Sequence, residues 1–301
     1  MLKRTLVFMH PAALSMKDAQ LVIKRREELD GITTVPIEDI GVIIVDNPMV
    51  TLTIPLLNSL SEQNVAVIFC NQKGMPTSML QNLDTNSTQG LTLRNQLSVP
   101  EPLKKRLWKQ IVEAKIRNQS ALLNHYDRDG NMLKLFYMNV KSGDADNREG
   151  AAARIYWTRL FGPHFVRDRN QDGVNVLLNY GYTILRGAVA RAIAGAGLFP
   201  AIGLYHRGRS NAFPLADDMM EPYRAFVDDI VFQLSLKGCD ILNKDTKVEL
   251  LKVLTCDTLF GKIRRPLMIG LSMTMSSLAK CYAKETDKLV LPKIFYDRVS
   301  S

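Results

Sequence analysis

The chain has 301 residues, 46% hydrophobic and 23% charged, which is the composition of an ordinary globular protein with one large core or two domains. Its 39 Lys and Arg against 30 Asp and Glu give a formal charge of +9 and a pI near 9.4, a balance that suits a polyanionic partner. The four cysteines, Cys70, Cys239, Cys256 and Cys281, form no CxxC pair and no tight cluster, which argues against a zinc ribbon or a disulfide framework.

The opening MLKRTLVFM is cut by His10-Pro11 and is too short for the apolar region of a signal peptide. No apolar segment reaches membrane-spanning length, so a cytoplasmic protein without a membrane partner is expected. The runs TLVFM (5–9), ITTVPI (32–37), GVIIVD (41–46) and VAVIFC (65–70) are short, β-branched and bounded by turn residues, which predicts strands. Between the last two, leucines at helical spacing after Pro55 predict one short helix. From residue 71 the periodicity fades into NQKGMPTSMLQNLDTNSTQG, a linker or loop by composition.

Beyond Pro100 the character turns helical. Residues 101–126 place apolar side chains at threes and fours, with Lys104, Lys105, Arg106 and Lys109 on a basic face. Further helices are predicted at about 132–140, 148–161, 173–195, 218–236, 245–258 and 265–284. The expected class is α+β: a small β-rich N-terminal domain (1–75), a linker (76–99) and a larger all-helical domain (100–301).

Three stretches concentrate chemistry. In NREGAAARIYWTRLFG (147–162) Glu149 opens an alanine-rich helix, where the helix dipole alone would favour a carboxylate. In PAIGLYHRGRS (200–210) His206 follows an apolar run, and Arg207 and Arg209 beside it could hold phosphate oxygens. In ADDMMEPYR (216–224) Asp218 and Glu221 stand three apart, so both face one way on a helix; the same D-x-x-E also reads as a capping box. The string DRNQDG (168–173) begins like a calcium loop but has Asn179 where the closing Glu belongs. No P-loop, nucleophile elbow or dinucleotide fingerprint is present.

Taken in order, N-R-E-G-A-A-A-R-I-Y-W, then LNYGYTILRGAVARAIAGAGLFPAIGLYH (178–206), then N-A-F-P-L-A-D-D-M-M-E-P-Y-R resemble the CRISPR-associated protein one family, the catalytic subunit of spacer acquisition. The densest match runs from about Asn139 to Leu234. PIEDIGVIIVD (36–46) and VAVIFCNQKGMP (65–76) resemble the family's β domain, and the compact length is similar to the type II form.

The resemblance implies that Glu149, His206 and Glu221 are ligands of Mg2+ or Mn2+ and that Asp218 assists them catalytically, with Asp217 leaving open which aspartate does so. It implies that Tyr180 lies near reacting DNA. It further implies a DNA endonuclease and integrase that joins the 3′-OH of an incoming double-stranded fragment to a repeat phosphodiester. The partners expected are DNA, a second copy of the chain through the β-rich domain, and a small second adaptation subunit. Arg207, Arg209, Lys104, Lys105, Arg106, Lys109, Lys262, Arg264 and Arg265 would contact phosphates without reading sequence. Two alternatives use the same residues: a metal-dependent nuclease for branched DNA that joins nothing, and a non-catalytic nucleic-acid scaffold.

Overall fold

In the computed structural model, which describes residues 3–25, 31–80, 82, 88–206, 208 and 211–296, the β-branched runs near the N-terminus do form strands. The chain divides into two compact units, Met1–Gln89 and Gly90–Ser301. Strands come first and helices dominate afterwards, so the class is α+β.

The first unit holds β1 (Arg4–Phe8), β2 (Ala12–Lys17), β3 (Gln20–Arg25), β4 (Ile32–Pro36), β5 (Ile40–Val45), β6 (Thr51–Leu52), α1 (Ile54–Glu62), β7 (Ala66–Cys70) and β8 (Pro76–Leu80). They make two four-stranded sheets, in the orders β1-β5-β7-β8 and β4-β3-β2-β6. Strands β1, β5 and β7 are parallel, and β8 closes the edge antiparallel. Every residue of β5 is buried, the continuous apolar run of a strand covered on both faces. Leu56 and Leu60, one turn apart on α1, join Leu14, Leu21, Ile37 and Ile43 in the core. Burying side chains of this size contributes about 1.5–3 kcal/mol each.

The β2–β3 hairpin was not anticipated. Its two-residue turn, Asp18-Ala19, has φ of 51° and 56°, the mirror-image turn whose twist matches the strands. Ala is a poor choice for positive φ, so the turn carries no strong signal in sequence. The expected linker 76–99 likewise holds structure: β8 at its start and α2 (Gln89–Leu97) near its end. Both depend on tertiary partners. Strand β8 pairs with β7. On α2, the buried Gln96 donates to the carbonyls of Phe199 and Ile202 and accepts the Phe199 N–H, each at 2.9 Å.

The second unit is organised around α3 (Glu101–His125), a 25-residue helix about 37 Å long. Against it pack α4 (Lys134–Met138), α5 (Arg148–Phe161), α7 (Pro214–Met220) and α8 (Arg224–Leu236), while α6 (Val174–Gly195) packs on α7, α8, α9 (Lys244–Leu251) and α10 (Leu267–Tyr282). A single 3-10 turn, Glu221–Tyr223, joins α7 to α8. Helices α6 and α8 approach closely at Gly181, where a Cβ would come within 2.5 Å of Val227 Cγ1.

This unit is not all-helical. Strands β9 (Asp257–Phe260) and β10 (Ile263–Pro266) form an antiparallel hairpin whose turn has Gly261 at φ 61°. Arg265 is held extended by the proline that follows it, so the helix expected from 265 starts at Leu267. After α10 the chain returns along α3. Gln110 bonds the Asp287 carbonyl (2.7 Å) and the Leu289 N–H (2.9 Å), and Asn118 bonds Pro292 and Ile294. No helix of the described residues is long and apolar enough to cross a membrane.

Candidate active site

The site is assembled from the middle of α3, the first turn of α5 and the α7–α8 junction. Helix α5 starts where it does because its unpartnered N–H groups are met by side chains. Asn147 accepts from Gly150 (3.1 Å), and Asp144 accepts from Arg148 (2.8 Å) and Glu149 (3.1 Å). Burial raises the Asp144 carboxyl, and the two N–H donors oppose it. Glu149 is thereby fixed in the first turn, turned toward α3.

There it meets Lys115. The Lys115 ammonium lies 2.5 Å from Glu149 Oε1 and 2.5 Å from Glu221 Oε2, and its side chain is 11% exposed. Glu221 is buried, and Arg224 Nε reaches its other oxygen at 2.9 Å. Burial would raise Glu221, but Arg224 and Lys115 overcome it and hold the carboxyl at about 2. Burial correspondingly pulls Lys115 down, and Glu221 with Glu149 more than reverses it. The Lys115–Glu221 contact is ionic, for Oε2 has no aligned hydrogen-bond donor. Two carboxylates from different helices thus converge on one cation.

A second cluster holds His206. Asp218, fully buried on α7, accepts the backbone N–H groups of Leu204 (2.6 Å), Tyr205 (3.0 Å) and His206 (3.1 Å), and its Oδ1 lies 2.6 Å from His206 Nδ1. That bond raises the imidazole above its ordinary value, against burial. It also leaves Nε2 as the outward ring nitrogen. Gly203 is required in this loop, since a Cβ would sit 2.7 Å from the His206 carbonyl and 2.9 Å from Asp218 Oδ2. Tyr205 stacks flat on the buried Trp108 of α3 at 4.4 Å, and the His206 ring stands edge-on to the same indole.

Beside Glu221 opens a cavity of about 220 Å³ whose wall includes Lys115, Arg167, Arg169, Arg224, Trp157 and Tyr182. Four cations against one carboxylate give it a positive field. Arg167 is braced by Asn175 (3.0 Å) and Asn179 (2.8 Å), and Arg224 lies over the Tyr182 ring at 4.5 Å. Beneath, the buried Asp228 accepts from Tyr182 and, at 2.6 Å, from Tyr156.

A family model described as CRISPR associated protein Cas1 matches residues 6–250 of this sequence. The chain belongs to the Cas1 family. The CRISPR-associated endonuclease Cas1 of Neisseria meningitidis serogroup C (strain 8013) is 39% identical over 237 residues, which cover 78% of this chain and 77% of that protein. Among solved structures, a casposase bound to integration product gives a TM-score of 0.79 at 21% identity, covering 100% of this chain and 96% of that one. A Cas6-RT-Cas1–Cas2 complex gives 0.74 at 20% identity, covering 98% of this chain and 36% of that one. At these identities the structural likeness concerns the fold.

The residues singled out in sequence fall into three groups. Glu149 and Glu221 are brought together. His206 and Asp218 are brought together, one turn before Glu221. The two clusters are not merged: among the described residues, no three His, Cys, Asp or Glu side chains are grouped to hold one ion. The physical reason lies in the cations present, because Lys115 occupies the carboxylate pair and the Asp218 bond draws His206 toward its own charged form. The capping-box reading fails, since α7 begins at Pro214 and Asp218 lies inside it. Asp217 is engaged elsewhere, with Arg186 Nε at 2.8 Å and Asn211 at 2.7 Å.

Tyr180 needs correction. It is fully buried on α6 with Lys247 Nζ 5.5 Å from its ring centre, so it is core and presents no surface to DNA. Lys105 and Arg106 are exposed, whereas Lys104 and Lys109 are paired with Glu101 (3.3 Å) and Glu113 (3.6 Å). Lys262, Arg264 and Arg265 are exposed on the β9–β10 hairpin, with Arg264 over Phe295. Arg207 and Arg209 lie outside the described residues.

Sequence reasoning missed Lys115, Arg224, Arg167 and Arg169. Lys115 did leave a trace: it falls between Ile111 and Asn118 on the buried stripe of α3, an odd place for an ammonium without a partner. The divalent ion implied by the Cas1 resemblance fits the carboxylate pair: a resident ammonium already shows that Glu149 and Glu221 close on a cation, and their hard oxygens suit Mg2+ or Mn2+, while His206 stands apart on Asp218.

Proposed function

We propose that this chain is a metal-dependent DNA endonuclease and integrase that inserts new fragments into a CRISPR array. The carrying observation is the convergence of Glu149 and Glu221 on one cation, beside a cavity walled by Lys115, Arg167, Arg169 and Arg224. Glu149, Glu221 and His206 would hold Mg2+ or Mn2+. When bound, the ion supplies Lewis-acid polarisation of a phosphodiester.

The protein's own groups do the rest. Asp218 holds the imidazole with Nε2 outward, and Arg224 keeps Glu221 ionised. The cationic wall seats the target phosphate and stabilises charge that grows on its oxygens. The oxygen of an incoming 3′-OH forms a bond to phosphorus, and the bond from phosphorus to the strand's own 3′ oxygen breaks. That oxygen leaves as a new 3′-OH, and the proton lost by the attacker balances the one it gains. One phosphodiester replaces another, so no nucleotide cofactor is needed. Water as attacker gives nicking.

Exposed Lys105, Arg106, Lys262, Arg264 and Arg265 serve phosphate contact in this reading, with Lys104 and Lys109 in support. Structures of the same fold, a casposase bound to integration product and a Cas6-RT-Cas1–Cas2 complex, support DNA and a small second subunit as partners. A homodimer through the β-rich unit completes the proposal.

The test is a supercoiled plasmid incubated with Mn2+ and a labelled 3′-OH duplex. The intact protein transfers label to plasmid, and Glu149→Ala keeps its fold and DNA affinity but transfers none. Cut plasmid without transferred label would instead identify a plain nuclease. Unimpaired transfer by Glu149→Ala would refute the metal assignment, and no Glu149-dependent reaction of either kind would leave a binding scaffold.

A further inference from the structure

We infer that Lys115 is the resident cation of the two-carboxylate site, displaced when a divalent ion binds, and that its ammonium then turns into the adjoining cavity to contact a DNA phosphate. This rests on the reading of Glu149 and Glu221 as metal ligands. It adds a role for a residue outside that ligand set.

The contacts carry the argument. One ammonium lies 2.5 Å from an oxygen of each carboxylate, so it fills the space an ion bridging them would need. A divalent ion and an ammonium repel, and both cannot touch the same oxygens in a buried site. Without any cation, Glu149 and Glu221 would face each other across a desolvated gap. Lys115 therefore keeps the pair assembled before metal arrives. Arg224 does not have to move, because it holds the other oxygen of Glu221 and lies over Tyr182.

The exit for Lys115 is already built. The same side chain lines the cavity of about 220 Å³, so a rotation of its flexible stem places the ammonium with Arg167 and Arg169. Three cations crowded there need an anion, and the phosphate of bound DNA supplies it. Metal binding and phosphate binding are coupled through one residue: the ion frees the lysine, and the lysine completes the phosphate seat.

Calorimetric titration with Mn2+ and Mn2+-induced shifts in melting temperature test this on the full chain, comparing the wild type with Lys115→Met and Lys115→Arg, each with and without Glu149→Ala. Lys115→Met, having lost the competing charge, is expected to bind Mn2+ at least tenfold more tightly and to gain more melting temperature from it. Lys115→Arg, which keeps the charge, should bind no more tightly than the wild type. Duplex DNA affinity in Lys115→Met should fall several-fold with Mn2+ present and change little without it. Mn2+ affinity in Lys115→Met equal to or below wild type overturns the displacement, and unchanged DNA affinity in Mn2+ overturns the phosphate contact. If Lys115→Met fails to fold, Lys115→Gln carries the same expectations. Mn2+ binding that ignores Glu149 in the wild type would remove the ligand assignment itself, and this inference with it.

Discussion

Asp218 Oδ1 and His206 Nδ1 meet at 2.6 Å, and the same carboxylate gathers the N–H groups of residues 204 to 206. One buried side chain therefore sets the path of the loop, the orientation of the imidazole and the nitrogen it offers. Asp218→Asn keeps the size but turns an NH2 toward donors that need an acceptor. Stability should fall by about 2–4 kcal/mol in urea unfolding, from buried donors left without a partner. Nicking and joining should fall about 10- to 100-fold, as for other groups that orient a ligand. Wild-type rates in this variant would show that the loop holds its histidine by other means.

Asp228 predicts a pH dependence. Burial raises its carboxyl to about 6 from 3.8, although Tyr156 and Tyr182 donate to it. The folded chain therefore binds this proton more tightly than the unfolded one. The associated stability is fully present below pH 3.8 and is lost as pH rises through 6, an effect of about 3 kcal/mol for a difference of two pH units. Asp228→Asn should remove that slope in urea unfolding series from pH 4 to 7. Glu221, held at about 2 instead of 4.5, has the opposite sign, and its contribution is lost only as pH falls from 4.5 through 2.

Asn118 couples the active-site turn to the returning C-terminal segment. Its Nδ2 donates to Pro222 (2.7 Å) and Pro292 (3.1 Å), and its Oδ1 accepts from Ile294 (3.1 Å). Asn118→Ala leaves those backbone groups without their partner, a loss of about 3 kcal/mol. Limited proteolysis should release the segment after Lys284 sooner than in the wild type. Because Pro222 follows Glu221, kcat should fall more than DNA affinity does.

The basic face of α3 predicts a salt effect. Lys105 and Arg106 are exposed, while Lys104 and Lys109 are paired with acidic neighbours. Reversing the first two to Glu should lower the slope of log affinity against log salt by about 2. Duplex binding should weaken, and the melting curve should stay put, since exposed substitutions cost within about 0.5 kcal/mol. An unchanged salt slope would place the DNA elsewhere.

The α+β class was legible because it depends on local pattern. The run GVIIVD reads as a strand from its β-branched residues, and the spacing from Leu103 to Leu123 reads as a long amphipathic helix. The linker between them was misread because β8 and α2 have weak patterns of their own and exist through β7 and Gln96. The β9–β10 hairpin was hidden in the same way, its four-residue strands being too short to show a period.

Residue type and order along the chain determined the family and the candidate catalytic residues, because Glu149, His206, Asp218 and Glu221 sit in motifs readable as strings. Tertiary structure decided what those residues do to one another. It set Lys115 between two carboxylates 34 and 106 positions away, gave His206 to Asp218 and buried Tyr180. Charge pairing and desolvation depend on distance through space, which a string of residues does not record.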